Sequence, residues 1–162
     1  MKLILLLLLI NSSFLFAANL NSKKNKTQNE SIIIEEPFIN YTSSYDFENT
    51  IITIETELEK LNIPIFAKFD HYQNAKDVNL DLRKTTVIVF GAPKIGTLLM
   101  QANQNIALEL PLKLLILENN SGKTIVRFKK MESIAKEYNL ENNDIIKKMD
   151  KLLENLSQKL IK

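Results

Sequence analysis

Two places in the chain hold residue types and spacings that could do chemistry. The first follows Val87-Ile-Val-Phe90, an apolar, β-branched run that empties into Gly91-Ala-Pro-Lys-Ile-Gly96-Thr97. Glycines at this separation after a strand are the frame of a phosphate loop. In such a loop the glycines let backbone N–H groups surround phosphate, a lysine reaches the terminal phosphates and a hydroxyl holds magnesium. Here the frame is incomplete: Thr97 and Leu98 stand where the lysine and the hydroxyl belong, Lys94 lies inside the loop, and Pro93 removes a donor. Nucleotide hydrolysis is therefore set aside in favour of a strand-to-helix turn. Anion contact survives as an expectation, with Gly96 and Thr97 opening a helical turn whose N–H groups receive a small anion beside Lys94.

The second place is His71, the chain's 1 histidine, next to Asp70. A zinc site draws three or four ligands from Cys, His and carboxylates, and a single histidine with no cysteine does not supply them. No metal is expected. A Ser-His-Asp arrangement would need Asp70 to orient the imidazole, yet neighbours in a regular strand point to opposite faces. A haem on His71 would have to be held non-covalently, because Cys-x-x-Cys-His is missing, and no cofactor is expected. The plainer reading is that His71 closes the edge of an apolar row formed by Ile65, Ala67 and Phe69. The carboxylates Glu35, Glu36 and Glu118 show no paired geometry and read as solvated charge near strand ends.

The elements that must position these residues follow from periodicity. Phe38 to Ser43 alternates as a first strand, and Asp46 is placed to cap a helix whose stripe is Ile51, Ile54, Leu58 and Leu61, ending before Pro64. Ile65 to Tyr72 switches to period two and predicts a half-buried strand. Thr85 to Phe90 predicts a strand near the middle of a sheet. Leu112 to Glu118 and Lys123 to Phe128 flank Asn119-Asn120-Ser121-Gly122 and predict an antiparallel hairpin. Met131 to Tyr138 predicts a short helix. Ile145, Met149, Leu152, Leu156 and Leu160 mark a longer one, whose leucines are core or, in excess, a homodimer surface. This order of elements points to an α+β domain, a mostly antiparallel sheet with helices on one face.

The N-terminus carries a different signal. Lys2, the run Leu3 to Ile10 and the small pair Ala17-Ala18 form the pattern of a secretory signal peptide over residues 1–18, cut between Ala17 and Ala18. A span would need roughly 20 apolar residues, and Asn11 interrupts this run well short of that, so no stable membrane insertion is expected once the leader is removed. An uncleaved anchor is the alternative. Residues 19–36 open with the polar stretch NLNSKKNKTQNE and read as a flexible spacer, leaving residues 37–162 as a single domain. With no cysteine, neither a disulfide nor a lipid on a leader cysteine is available, and the expected location is periplasmic or secreted. A formal charge of +2 is far from the basic balance that nucleic-acid binding uses, so no nucleic acid is expected.

Several pieces fall in one order along the chain: Asp46-Phe47-Glu48-x-Thr50, then Ile65-Phe66-Ala67-x-Phe69-Asp70-His71 with Ala75. Val89-Phe90-Gly91-x-Pro93-Lys94 with Gly96-Thr97-Leu98-Leu99-Met100 follows, then Leu110-Pro111-Leu112-Lys113, and Glu118 with Gly122-Lys123. This succession, from about Tyr41 to Leu160, resembles domain of unknown function family three hundred and two. The resemblance implies a TATA-binding-protein-like architecture, a curved antiparallel sheet backed by helices, without implying DNA binding. It marks Asp70, His71, Gly91, Pro93, Lys94, Gly96 and Thr97 as the ligand-binding positions to watch. The chain departs at Ala92, where the family often has asparagine, which weakens any side-chain grip on a polar ligand by this loop. The expected function is an exported, non-catalytic accessory module that binds a small ligand or a protein partner. The alternative is an enzyme using His71 as general acid/base with Lys94 on an anionic group, which requires both in one cleft with an oriented carboxylate.

Overall fold

The structure, a computed structural model, describes residues 32–35 and 37–161. The leader and most of the spacer lie outside the described residues. In chain order the elements are β1 (Ile32–Glu35), β2 (Phe38–Thr42), α1 (Phe47–Lys60), β3 (Ile65–Asp70), α2 (His71–Asp77) and β4 (Thr85–Phe90). They continue with α3 (Pro93–Ala102), a 3₁₀ turn (Gln104–Leu108), β5 (Leu112–Glu118), β6 (Thr124–Lys129), α4 (Met131–Glu137) and α5 (Asp144–Gln158). The strands make one sheet in the order β1-β2-β6-β5-β4-β3, and each neighbouring pair is antiparallel. The fold is the expected α+β arrangement.

Period-two alternation sets which side chains reach the helices. Ile88 and Phe90 of β4, Leu114 and Ile116 of β5, and Val126 and Phe128 of β6 are buried in one cluster with Ile54 and Leu58 of α1 and with Ile146, Met149 and Leu153 of α5. The intervening residues Val87, Val89, Leu115 and Leu117 point to the opposite face and are half-buried. On that face the Arg127 guanidinium lies 4.3 Å from the Phe38 ring centroid and donates to Asn40 Oδ1 at 3.1 Å. The β5–β6 turn closes on Gly122, the one glycine among the three with positive φ, at 71°.

Carboxylates bond the first-turn N–H groups of α1, α2 and α4, and the one at α4 is remote. Asp46 Oδ1 accepts the Asn49 N–H at 2.7 Å and starts α1, as its position before the stripe predicts. The buried side of α1 is Phe47, Thr50, Ile54 and Leu58, while Leu61 lies past the end and is exposed. Lys130 occupies the cap position of α4 without a side-chain cap bond. The cap comes instead from α5: Asp150 Oδ1 accepts the Met131 N–H at 2.7 Å and Oδ2 accepts the Glu132 N–H at 2.8 Å. Burial raises the Asp150 pKa above its ordinary value, and the two N–H bonds pull it part of the way back.

Three local expectations are corrected. Ile32–Glu35, assigned to the spacer, is β1 and pairs with β2 through Ile32↔Tyr41 and Ile34↔Ile39. The apolar triplet had too little sequence context to read as a strand, and the partner strand supplies its hydrogen bonds. The strand expected to run to Tyr72 ends at Asp70, because the Asp70 carboxylate accepts the Gln73 N–H at 2.9 Å and begins α2. Thr85–Phe90 lies one strand in from the sheet edge, and β5 and β6 take the centre.

Candidate functional site

Where α3 and α5 face each other below the β3–β4 end, a gap remains. The 3₁₀ turn packs on α3 and α4 packs on α5, but α3 and α5 do not pack closely together. The space between them is a pocket of about 590 Å³, inside the range of roughly 300–1,000 Å³ usual for small-molecule sites. A second depression, lined by Glu55, Glu59 and the Pro64 turn, is shallower and more polar, and Glu55 is already held by Lys68 at 2.8 Å.

Each wall has a local cause. Gly91 follows β4, and its N–H donates to Pro64 O at 3.2 Å, which closes the β3–β4 end. Pro93 then starts α3, a position that suits proline because the first-turn N–H has no helical partner. Gly96, Thr97 and Met100 of α3 reach the pocket, with Ile95 and Leu98 at its rim 37% and 44% exposed, unusual for large aliphatic side chains. Opposite, α5 presents Ile145, Lys148 and Leu152 beside its core residue Met149. The floor comes from Leu110, Pro111 and Leu112, at the entry to β5.

Phe66 reaches the pocket through a break in the pleat. Ile65 pairs with Phe90 and Ala67 with Val89, so two steps of β3 oppose one step of β4 and Phe66 is the bulged residue. Its ring lies along the Gly91 backbone, where a β-carbon would come within 3.5 Å of Phe66 Cε2 and 3.6 Å of Pro111 Cβ. That ring forms the β3 wall and remains half exposed. Among the described lining residues Thr97 and Lys148 have the polar side chains, and none is a carboxylate.

The seven positions expected to bind ligand separate into three groups. Gly91, Pro93, Gly96 and Thr97 lie on the pocket wall. Lys94 shares α3 but is exposed and does not line the pocket. Asp70 and His71 stand at the other end of β3, where Asp70 pairs with Thr86, while the pocket end pairs Ile65 with Phe90. Five strand steps separate these ends, roughly 16 Å at about 3.3 Å per residue. The Asp70 carboxylate is taken up by the Gln73 N–H, and His71 is exposed in the first turn of α2.

The anion-receiving turn expected at Gly96 and Thr97 also takes another form. The helix starts three residues earlier, at Pro93, and the Ile95 and Gly96 N–H groups both donate to Ala92 O, at 2.9 and 3.0 Å. Neither Gly91 nor Gly96 has positive φ, so no glycine conformation shapes a phosphate cradle here. Among the described residues no group of three or more His, Cys, Asp or Glu could hold a metal ion.

Residues 39–156 match the family model described as "Domain of unknown function DUF302". The chain belongs to the DUF302 family. A solved DUF302 protein, the crystal structure of an uncharacterized conserved protein from Bacillus stearothermophilus, has the same fold. It superposes with a TM-score of 0.70 at 18% identity, over 78% of this chain and 99% of that one. The domain is also similar to two proteins named Fluoride-specific ion channel FluC 1, from Brucella suis biovar 1 (strain 1330) and Brucella abortus biovar 1 (strain 9-941). Each is 34% identical over 91 residues, which is 56% of this chain and 36% and 34% of those proteins. The chain thus spans about a third of the length of these relatives. No helix among the described residues is long and apolar enough to cross a membrane.

The DUF302 pocket includes residues that sequence reasoning passed over, Phe66, Leu110, Ile145, Lys148 and Leu152 among them. One signal was present: the apolar doublets Ile145-Ile146 and Leu152-Leu153 recur at heptad spacing on α5. Neighbouring helix positions lie about 100° apart, so each doublet widens the apolar stripe beyond what a narrow contact with the sheet covers. Ile146 and Leu153 face the sheet and are buried, and Ile145 and Leu152 face the pocket.

Proposed function

We propose that this DUF302 domain is a non-catalytic module that binds a small, largely apolar ligand between α3 and α5. The pocket carries the reading: about 590 Å³ of space walled by aliphatic side chains on two helices, with Ile95, Leu98 and Phe66 exposed at its mouth. Apolar surface left facing water is costly, at roughly 25 cal/mol per Å², and a ligand that covers it gains that term. Four of the positions that the family resemblance marks lie on this wall, which supports placing the site here. The leader-like N-terminus supports an exported location, and the module is proposed to act outside the inner membrane.

The reading in which His71 acts as acid/base with Lys94 on an anionic group needs the two in one cleft, and β3 holds them apart. Fluoride conduction belongs to the relatives' printed name. With only a third of those proteins matched, we propose an accessory role for the shared domain and carry no conduction to this chain.

The test is titration with the neutral apolar dye N-phenyl-1-naphthylamine, followed by native mass spectrometry of protein purified from its own host. Wild type should give saturable one-to-one binding and carry a retained small mass. Gly96→Phe projects a ring into the gap beside Leu110 and should abolish both while the far-ultraviolet circular dichroism is unchanged. Ala107→Trp fills the same space from the 3₁₀ turn and guards against a folding defect in the first variant. Binding unaffected by either filled variant would overturn the proposal.

A further inference from the structure

The geometry points to an aliphatic monocarboxylate as the ligand, its tail between α3 and α5 and its carboxylate at Lys148. This inference rests on the pocket reading above and adds the ligand's chemical class. The wall formed by α5 runs from Ile145 to Leu152, about 10 Å along the axis at roughly 1.5 Å per residue. An aliphatic wall of that length suits an extended alkyl tail. Among the described lining residues Phe66 carries the one aromatic ring.

The sign of the ligand's polar end follows from the charges present. Among the described residues Lys148 is the only charged side chain of the lining, and it has no carboxylate partner there. Asp144, one turn earlier on α5, is held by Lys147 at 3.7 Å. Asp150, the next carboxylate on α5, is turned to the α4 N-terminus by two N–H bonds. The sequence of α3 contains no acidic residue, and its N-terminal end, which carries partial positive charge, forms part of the wall at Ala92 and Pro93. Lys148 is exposed where it lines the gap, and a lysine there lays its stem along apolar surface most favourably with its ammonium kept in water. An anionic end is attracted there, and among the described lining residues a cationic end finds no carboxylate.

Isothermal titration at low salt, with n-alkyl carboxylates of six to ten carbons against the matching alcohols, tests this. Each added methylene should tighten both series about fourfold while the tail stays inside the gap. Wild type should prefer each carboxylate over its alcohol by about two- to fivefold, the range for an exposed charge pair. Lys148→Gln should erase that preference and leave alcohol affinity unchanged, and Lys148→Glu should reverse it. If acids and alcohols bind equally and Lys148→Gln changes neither, the inference is overturned and the apolar pocket stands. If neither series binds wild type or shows a methylene increment, both the inference and the pocket reading fall.

Discussion

Replacing Asp150 by alanine tests whether helix α4 is started by a carboxylate from α5, 19 residues away in the chain. The Met131 N–H bond is half-buried, and losing its acceptor leaves a donor that water reaches poorly, a cost of roughly 1–3 kcal/mol. The Glu132 N–H is exposed and rehydrates, so its loss adds a few tenths, typical of the weak end of capping at roughly 0.5 kcal/mol. Relief of the carboxylate's burial cost offsets part of this. The expected loss is about 2 kcal/mol at neutral pH, a fall in Tm of roughly 5–8 °C for a domain of this size. Urea unfolding followed by circular dichroism measures it. Lys130 already has extended backbone at the cap position, so Lys130→Asp in the Asp150→Ala background supplies a local cap and should recover about 1 kcal/mol. In the wild-type background the same change should gain nothing, because the N–H groups are already bonded. The pH dependence has a definite sign. Burial sets the folded pKa of Asp150 above the ordinary 3.8, so the native state holds that proton more tightly than the unfolded chain. The linked stability is fully present below the ordinary value and is lost as pH rises through the folded one. The penalty for Asp150→Ala should therefore be larger near pH 3 than at about pH 7. A penalty below about 0.5 kcal/mol at neutral pH would refute the remote cap, and one that grows with pH would show that the two N–H bonds outweigh the carboxylate's burial.

Other positions give independent tests. Gly96 lies inside α3, and a β-carbon there would meet only Leu110 Cδ1, at an ordinary 3.7 Å, so Gly96→Ala should raise the unfolding free energy from urea titration by about 0.5–1 kcal/mol. A decrease would mean that this wall has no room for a methyl group. Gly122 has φ of 71° with no other atom near its β-carbon position, so Gly122→Ala should cost about 1 kcal/mol from backbone strain alone, and Gly122→Asn less. Equal stability of all three would contradict the left-handed turn. Asp46 is pulled below its ordinary 3.8 first by the Asn49 N–H bond, and Glu48 below 4.5 first by the Lys84 hydrogen bond. Their stabilisation is present above those values and is lost as pH falls through the folded ones, so Asp46→Asn should flatten the acid limb of the stability curve. An unchanged acid limb would show that the cap does not titrate with folding.

The sequence by itself determined the local elements and the family. The β-branched apolar run Thr85 to Phe90, the hairpin pattern around Asn119-Asn120-Ser121-Gly122, the stripe of α1 and the Asp46 cap are short-range codes, legible because each depends on residues within a few positions. The order of motifs from Asp46 to Lys123 carried the DUF302 resemblance for the same reason. Other features depended on partners distant in the chain. β1 exists because β2 offers it hydrogen bonds, and α4 is capped from α5. His71 and Lys94 share the neighbourhood of β3 and β4 in sequence, but antiparallel pairing sends them to opposite ends. The pocket is the clearest case, because its walls are ordinary apolar faces and its volume is what remains where α3 and α5 fail to meet. The apolar pattern says which faces turn inward. How closely two such faces approach is decided by the packing of the whole sheet and its helices, and there the site is made.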